Sequence, residues 1–354
     1  MKQRRSFLTL LWFWSVLILT VRCSPPPAGG NPPSQTENSP TLNDIRVAVV
    51  PPAFTSPFHV AIKEGAISET QRLGWKVDVV AAEQESDYAG QVSVVEQELQ
   101  KGIAAVSVNP IDVKAIVTAV KEANQDKTPV FMHNMITPVD QGKVEEYIGY
   151  DQWSGAAKLA RYSCSVLNGK GQVYILMGIP GFHANRRTQG FEWGLQTYCP
   201  GVTVVGKQSA DWDRTEAVEV ATAALQQHPD ISLFYGNSDE MGIGACIAAK
   251  KTGRTVNKDV WCISIDGNPV TLDLIGKGDT TATLGVYPRL MAVTVIQQMN
   301  KFLHGESIPF ILETPSIVVD RRNVTAYRSE STWTKPIEGK PEIDNGEPSG
   351  DNAK

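Results

Sequence analysis

The side chains of this chain that could hold a small molecule cluster at the points where its predicted strands end. In chain order they are Phe54, Thr55, Ser56, Phe58, His59, Asn109, Pro110, Asp112, His133, Asn134, Tyr150, Asp151, Phe182, His183, Asn185, Arg187, Asp211, Trp212, Asp213, Asn237, Ser238, Asp239, Asp266 and Asn268. Aromatic rings can cover the apolar faces of a sugar ring, while carboxylates accept hydrogen bonds from its hydroxyl groups. Arg and Asn side chains donate to the same hydroxyls, and a few such groups fix the orientation of a ligand. The residue types therefore indicate a binding site for a small hydroxylated molecule.

The sequence carries no motif typical of catalysis. It has no GxSxG turn, no GxxxxGK[ST] phosphate loop, and no GxGxxG that opens a helix after the first strand. His133 with Asp266 is the one pair that we would test for a reaction. No CxxC or HxxxH spacing occurs, and no cluster of Cys or acidic residues accompanies His59 and His133, so we expect no metal site. We expect a binding protein without a cofactor rather than an enzyme.

Strand and helix patterns alternate along the body of the chain. The predicted strands are 45–50, 75–80, 104–108, 129–132, 172–176, 202–205, 231–235 and 260–265. The predicted helices are 57–72, one around 92–99, 113–120, 152–167, 184–198, 213–226 and 239–251. Strand–helix units of this length need right-handed crossovers and a parallel sheet with helices on both faces. Two successive sets, the second starting after residues 147–149, predict an α/β fold of two doubly wound parallel-sheet lobes.

The two predicted lobes bring the strand ends into one cleft. Ligands of open parallel sheets bind outside the carboxyl ends of the strands, so two facing lobes form a ligand cleft between them. The chain is expected to cross between the lobes near Tyr150, Val286 and Phe310. The last two crossings follow because residues 288–303 have a helical pattern and residues 308–319 return as strands. Three crossings predict a three-stranded hinge.

Composition divides the chain into a leader, a linker, two lobes and a tail. The linker and the tail are rich in Pro, Gly, Ser and charged residues and have too few apolar side chains for a core. In chain order the predicted segments are an export signal over 1–23, a flexible linker over 24–43, the N-terminal lobe over 44–149 plus 286–310, the C-terminal lobe over 150–285 plus 311–330, and a disordered tail over 331–354.

The first residues have the pattern of an export signal. Lys2, Arg4 and Arg5 precede an uncharged apolar run over residues 7–21. That run is shorter than the ~20 residues that a helix needs to span a bilayer, and it matches the apolar region of a signal peptide. A retained N-terminal membrane anchor is the alternative interpretation. The RRSFL segment also resembles the core of twin-arginine signals, so the export route stays open between that pathway and the general secretory one.

The charge of the chain argues against a nucleic-acid partner. The net charge is −5, and removal of residues 1–22 deletes four basic residues and no acidic one, which brings it to −9. Contacts with phosphates need a surplus of Lys and Arg. We therefore expect a soluble, exported, anionic body that contacts a membrane only through an N-terminal lipid anchor.

Six segments of the chain together resemble a known family. They are SPFHVAIKEGA (56–66), SVNPID (107–112), GIPGFHANRRTQGF (178–191), SADWDR (209–214), GNSDEMGIGA (236–245) and SIDGNP (264–269). In order and spacing they resemble the ribose-type sugar-binding proteins of bacterial ABC importers, within the periplasmic binding protein-like I family. The resemblance covers nearly all of residues 45–330. Sugar-responsive repressors of the LacI type share these motifs, but the export signal favours the transport proteins.

The resemblance implies roles for individual residues of the cleft. Phe58 and Trp212 match positions whose rings stack on the sugar, and Asn109, Arg187 and Asp266 match ligands of its hydroxyl groups. A further match is Ser238, which occupies the position of a ligand Asn.

Other positions depart from the family pattern. His59 replaces a second stacking Phe, and Ser56 replaces a ligand Asn. His133 and Asn134 replace an Asp–Arg pair, and Val286 stands where a ligand Gln is usual. About half of the ribose-type pocket is retained, so a pentose, a hexose, a deoxysugar or a related polyol remains open as the ligand.

The resemblance also implies a function and a location. A family member of this kind is a monomer that closes around a monosaccharide and delivers it to an ABC permease in the inner membrane. The alternative is a periplasmic sensor that presents its ligand-bound form to a receptor kinase or chemoreceptor. Cys23, followed by the Pro-rich linker, resembles the lipid-modified first residue of a bacterial lipoprotein, although Arg22 and Thr20 depart from the usual signal. We expect a periplasmic protein or a lipoprotein on the outer side of the inner membrane.

Four further cysteines follow Cys23. An even number of cysteines in an exported protein favours pairing. We favour a Cys164–Cys199 disulfide because these residues lie on successive predicted helices that can be adjacent. Cys246 and Cys262 either pair with each other or remain as buried thiols.

Overall fold

A computed structural model of the chain describes residues 45–328. Its strands are β1 (Arg46–Val50), β2 (Lys76–Val79), β3 (Ala105–Val108), β4 (Val130–His133), β5 (Glu146–Gly149), β6 (Gly171–Met177), β7 (Val202–Ser209), β8 (Ile231–Gly236), β9 (Trp261–Asp266), β10 (Ala282–Gly285), β11 (Ile311–Glu313) and β12 (Ile317–Val319). Its helices are α1 (Pro57–Leu73), α2 (Tyr88–Gln100), α3 (Val117–Gln125), α4 (Gln152–Val166), α5 (Phe182–Tyr198), α6 (Arg214–Gln227), α7 (Asp239–Lys251), α8 (Pro269–Lys277), α9 (Pro288–Leu303) and α10 (Val324–Tyr327). The export signal, the linker with Cys23, and the tail lie outside the described residues.

The strands form two six-stranded sheets, one in each lobe. The N-terminal sheet has the order β11-β5-β4-β3-β1-β2, and all of its strand pairs are parallel. The C-terminal sheet has the order β12-β10-β9-β8-β6-β7, and only the β10–β12 pair is antiparallel. The prediction of two doubly wound parallel-sheet lobes is therefore confirmed.

The central strands are mostly apolar and buried, as expected where helices cover both faces of a sheet. Every residue of β3 is buried, and in β1 only Arg46 is half-buried. Buried apolar side chains form hydrophobic cores on the faces of the two sheets.

Several helices begin at the carboxyl end of a strand, where a short polar side chain caps them. Ser56 accepts a hydrogen bond from the amide of Phe58 at the start of α1, with Pro57 in the first turn. Asp151 caps α4 and Asp213 caps α6 in the same way. Such caps satisfy backbone amides that have no partner inside the helix. They fix the chain direction where the strand ends face the other lobe.

The chain passes between the lobes at three places within residues 45–328, and one of them differs from the prediction. The first two lie between β5 and α4 and between β10 and α9, near Tyr150 and Val286. The third lies after Glu313, not at Phe310, because β11 pairs in parallel with β5 through Ile311 and Tyr147. Residues 311–313 thus belong to the N-terminal lobe, and the C-terminal lobe regains the chain at β12.

The cysteines of the C-terminal lobe have two different states. Cys164 on α4 and Cys199 at the end of α5 form a disulfide with a Cα–Cα distance of 5.6 Å. The two helices pack closely here, since a side chain at Gly190 or Gly194 would overlap with α4. Cys246 and Cys262 are buried free thiols.

No helix within the described part of the chain is long and apolar enough to cross a membrane.

Candidate ligand-binding site

A cavity of about 210 Å³ lies between the lobes at the carboxyl ends of their strands. The residues that line it come from both lobes: Pro52, Ser56, Phe58, His59, Glu85, Ser86, Tyr88, Asn109, Ile111, Asp112 and Asn134 from the first, and Ile179, Pro180, Gly181, Phe182, His183, Arg187, Trp212, Ser238 and Asp266 from the second. This is the edge at which open parallel sheets bind ligands.

Nine of the ten residues that the sequence predicts as ligand contacts line this cavity: Ser56, Phe58, His59, Asn109, Asn134, Arg187, Trp212, Ser238 and Asp266. The exception is His133, which is absent from the described lining of the cavity. His133 is the last residue of β4, one residue beyond the predicted strand, and it is fully buried with its Nδ1 atom 2.8 Å from the Ser107 hydroxyl of β3. The side chain of a strand residue stands roughly perpendicular to the sheet, so His133 lies on one face of the sheet beside the Ser107 side chain and not in the cleft beyond the strand ends.

Arg187 is the centre of the polar network in the C-terminal lobe. It projects from the first turns of α5 and is buried. Its Nη1 atom donates to the Asn237 carbonyl at 2.6 Å, and its Nε atom donates to Gln152 Oε1 at 3.2 Å. The same Nη1 atom lies 3.6 Å from Asp266 Oδ1, and the guanidinium lies 5.4 Å from the centre of the Trp212 ring. These contacts hold a planar donor group against an aromatic wall of the cavity.

Asp266 ends β9 with an unusual backbone conformation. Its φ of 141° lies in a region that residues with a side chain rarely adopt. The Asp239 amide donates to Asp266 Oδ2 at 3.3 Å. Burial raises the pKa of Asp266 well above its usual value, and the nearby Arg187 guanidinium opposes that rise. Strained residues of this kind cluster at ligand sites, where the surrounding structure holds them in place.

Asp239 provides much of that support from below the cavity. Its fully buried carboxylate accepts hydrogen bonds from the hydroxyls of Ser264 and Thr283, both at 2.6 Å, and from the Asn268 amide at 2.7 Å. Burial raises the pKa of Asp239 to about 6, while these hydrogen bonds work in the opposite direction. Asp239 therefore fixes the loop that follows Asp266.

Trp212 forms an aromatic wall of the cavity. It lies after β7 and, like Asp211, has a left-handed backbone, with φ values of 65° and 48°. The indole packs flat over Gly178, where any side chain would overlap with the ring. On the other lobe, Phe58 meets the His59 ring edge-on at a centroid distance of 5.1 Å. The cavity thus has an aromatic residue on each lobe.

Two hydrogen bonds join the lobes beside the cavity. Gln152, on α4, donates from Nε2 to the carbonyl of Asn134 at 2.7 Å and to His183 Nδ1 at 2.6 Å. His183 Nε2 lies 3.3 Å from the carbonyl of Pro110. A carbonyl only accepts, so the imidazole donates from Nε2 and accepts at Nδ1. Burial lowers the pKa of His183 to about 3, which agrees with this neutral ring.

Four residues that line the cavity each have a buried side-chain atom without a hydrogen-bond partner among residues 45–328: His59 Nδ1, Asn109 Oδ1, Asn134 Oδ1 and Ser238 Oγ. Buried polar groups without partners are costly and rare in proteins. Two of the four are amide oxygens, and the carboxylates of Glu85 and Asp266 add further acceptors. The cavity is therefore rich in acceptors, which hydroxyl groups of a ligand would satisfy.

The loop between β2 and α2, together with the first residue of α2, also contributes to the cavity. Glu85, Ser86 and Tyr88 line the cavity, although none of them was expected there. The predicted site residues were those close to the ends of the predicted strands. Glu85 lies six residues beyond the end of β2 and was therefore not among them. Burial raises the pKa of Glu85 to about 7, while a hydrogen bond from Thr55 and the charge of Arg187 oppose the rise.

A metal centre finds no support in the described residues. They contain no group of three or more His, Cys, Asp or Glu side chains that could hold an ion.

Two parallel-sheet lobes with a polar and aromatic cavity between them define the class of two-lobe solute-binding proteins. Residues 47–307 match the model of the family described as periplasmic binding protein domain, and the chain belongs to this family. It is 32% identical to the ribose import binding protein RbsB of Bacillus subtilis over 302 residues, which cover 85% of this chain and 94% of that protein. It is 29% identical to the D-allose-binding periplasmic protein of Escherichia coli over 265 residues, which cover 71% of this chain and 82% of that protein.

Solved structures share the whole two-lobe fold. One is an ABC transporter periplasmic solute-binding protein from Actinobacillus succinogenes with bound D-allose, at 25% identity and a TM-score of 0.75, covering 80% of this chain and all of that one. Another is an ABC transporter solute-binding protein from Burkholderia graminis in complex with D-arabinose, at 25% identity and a TM-score of 0.76, covering 81% and 99% of the two chains.

Proposed function

We propose that this protein is the solute-binding component of a bacterial ABC importer and that it binds a monosaccharide or a related polyol between its lobes. The observation that carries the proposal is that one cavity is lined by residues of both lobes whose buried polar atoms have no partner among residues 45–328, and also by Arg187, Asp266 and Trp212. A ligand with several hydroxyl groups would satisfy these atoms together, while the aromatic residues cover its apolar faces.

The size of the cavity supports a small ligand. Its volume of about 210 Å³ is below the range of about 300–1,000 Å³ that is usual for drug-sized molecules. A single sugar ring or cyclic polyol suits such a space better than an oligosaccharide.

Binding would proceed by hinge closure, the known motion of this class of protein. The three passages of the chain between the lobes form the hinge. A ligand that hydrogen-bonds to groups from both lobes binds the closed form in preference to the open one, and so shifts the equilibrium towards closure. The closed form is then the one recognised by the permease.

A screen of candidate ligands would identify the sugar. The cavity keeps Phe58, Asn109, Arg187, Trp212 and Asp266. The chain has other residues where the ribose-type pattern has an Asp–Arg pair and a ligand Gln, namely His133, Asn134 and Val286, and of these only Asn134 is among the described lining residues. The relatives are named for ribose and allose, and the solved structures hold D-allose and D-arabinose. A panel of pentoses, hexoses and cyclic polyols therefore covers the proposed class.

A thermal-shift screen followed by calorimetry tests the proposal. A ligand at 100 times its dissociation constant should stabilise the protein by about 2.7 kcal/mol. Asp266→Ala should weaken binding at least about 10-fold, because it removes charge-assisted hydrogen bonds. Asp230→Ala is the matched control, since Asp230 is exposed in the turn before β8. A wild-type protein that binds no member of the panel would refute the proposal.

Transport and location follow from the same proposal. The relatives are named import binding proteins, which supports delivery to a permease over a sensor role. Deletion of the gene should abolish uptake of the sugar, whereas a pure sensor would leave uptake intact. The chain would be exported, act as a monomer without enzymatic activity, and be anchored through a lipid on Cys23. Cys23→Ser should then move it from the membrane fraction to the soluble fraction.

A further inference from the structure

Glu85 and His59 together line one corner of the cavity, on the side of the N-terminal lobe. Glu85 lies in the loop between β2 and α2, and His59 lies in the first turn of α1. His59 Nε2 is 3.6 Å from Glu85 Oε1, and the Thr55 hydroxyl donates to the same oxygen at 3.3 Å. Both side chains line the cavity.

The fold leaves this corner with little internal hydrogen bonding. Only 13% of the Glu85 side chain is exposed, yet among residues 45–328 its one hydrogen bond is the long contact from Thr55. His59 is 94% buried, and its Nδ1 atom has no partner in the same part of the chain. A carboxylate with so few donors is costly to bury unless something else donates to it. The corner is thus an acceptor group directed at the ligand space.

The charges of the cavity lining are unequal. Arg187 is the only Lys or Arg among the described lining residues, whereas three of them are acidic: Glu85, Asp112 and Asp266. Burial lowers the pKa of His59 well below its usual value, and the nearby Arg187 guanidinium acts in the same direction, so the His59 ring contributes hydrogen bonds and no positive charge. A negatively charged ligand would therefore enter a space in which acidic groups outnumber basic ones.

Glu85 also lies where the cavity widens towards solvent. A second cavity of about 480 Å³ adjoins the first, and both are lined by Ser56, Glu85, Ser86, Ile179, Pro180 and Trp212. The edge of a ligand held against Arg187 and Asp266 that points towards the N-terminal lobe would meet Glu85 at this boundary.

We propose that Glu85 and His59 form a second recognition point of the cleft, which selects ligands that present a hydroxyl or ammonium donor to the N-terminal lobe and excludes sugar acids and sugar phosphates. This inference rests on the proposed sugar-binding function and narrows its ligand class. Selection arises because Glu85 accepts hydrogen bonds from a donor but repels a second anion in a space with few counter-charges.

Calorimetry at pH 8 with defined probes tests the inference. The probes are D-ribose and D-allose, and two matched series, D-glucose with D-glucosamine and D-glucuronate, and D-galactose with D-galactosamine and D-galacturonate. The proteins are the wild type, Glu85→Gln, and the control Glu83→Gln, which removes the same charge from an exposed position of the same loop. His59→Phe is a second variant that keeps a ring and removes both nitrogens. Thermal melts without ligand check that every variant folds.

The expected result has two parts. Glu85→Gln binds the neutral sugar that the wild type prefers at least about 10-fold more weakly, because a hydrogen bond to a charged acceptor is lost, whereas Glu83→Gln keeps wild-type affinity. His59→Phe weakens the same sugar by a smaller factor. The wild type binds neither uronate more tightly than its neutral parent.

The outcomes that overturn the inference differ from those that overturn the function. If Asp266→Ala loses binding while Glu85→Gln keeps wild-type affinity for every probe, the second recognition point is refuted and sugar binding stands. A uronate that binds the wild type better than its neutral parent also refutes the inference alone. If the wild type binds no sugar, both proposals fail.

Discussion

His183 and Pro110 belong to different lobes, and the imidazole Nε2 atom of one lies 3.3 Å from the carbonyl oxygen of the other. Gln152 fixes the ring by donating to its Nδ1 atom, and the same amide group donates to the carbonyl of Asn134. The lobes are therefore joined by protein–protein hydrogen bonds beside the cavity. Such bonds contribute to the closed form independently of the ligand, so they should set part of its affinity.

His183→Phe tests this contribution, because it keeps a ring of similar size and removes both nitrogens. Loss of one neutral hydrogen bond from the closed form costs about 0.5–1.5 kcal/mol, which should weaken sugar binding roughly 2- to 10-fold in calorimetry. His304→Phe, at an exposed position, is the control and should leave affinity unchanged. Equal affinities of the two variants would show that the interlobe bond has no part in closure.

Gly178 determines the position of the Trp212 ring, because the indole packs where a side chain at residue 178 would stand. Gly178→Ala should push the ring out of place and weaken sugar binding about 10-fold or more, as expected for loss of an aromatic face and its packing. Gly276→Ala is the control, since its added methyl group meets no atom within 4 Å. Calorimetry with both variants decides the matter, and unchanged binding by Gly178→Ala would mean that Trp212 does not stack on the ligand.

The periodic and apolar patterns of the sequence predicted most of the helices and strands of the fold. The predicted helix over 239–251 coincides with α7, and the strand over 231–235 is one residue shorter than β8. Short or weakly apolar elements were harder to recognise. β5 has only four residues and includes a buried Glu146, and α8 follows the ligand loop directly after Asn268.

Three predictions differ from the structure, and each difference has its own physical reason. For His133, the strand continues one residue further than its apolar run suggests, and one residue decides whether a side chain faces the sheet or the cleft. For Glu85, a loop of several residues separates it from its strand, so only the tertiary fold brings it to the cavity. The third crossing was predicted three residues early because β11 and β12 are both three-residue strands that follow each other closely, and only their pairing shows which sheet each one joins.

The Cys164–Cys199 disulfide closes a loop with a sequence separation of 35. The chain-entropy relation gives a stabilisation of about 3–4 kcal/mol for a loop of this length. The double variant Cys164→Ser with Cys199→Ser should therefore unfold at lower denaturant concentration than the oxidised wild type. Reduction with dithiothreitol should lower the wild type to the level of the variant and leave the variant unchanged. A wild type that is insensitive to the reductant would contradict the bond.

Glu85 should also make the stability of the protein depend on pH. Burial raises its pKa to about 7 from a usual value of 4.5, against the opposing effects of Thr55 and Arg187. Between these two values the folded protein binds more protons at Glu85 than the unfolded chain does, so this group's contribution to stability is full below pH 4.5 and is lost as the pH rises to 7. Replacement by Gln removes the titration.

The free energy of unfolding of Glu85→Gln, measured relative to the wild type in urea without ligand, should therefore increase from pH 4.5 to 7 by up to about 3 kcal/mol. It should stay constant above that range. Glu146, whose pKa burial also raises to about 7, is present in both proteins, and so are the buried His133 and His183, whose pKa values are lowered to about 3. Their effects cancel in the difference. Glu83→Gln, at an exposed position of the same loop, is the control. A flat difference for Glu85→Gln would mean that this carboxyl group is solvated as in the unfolded chain.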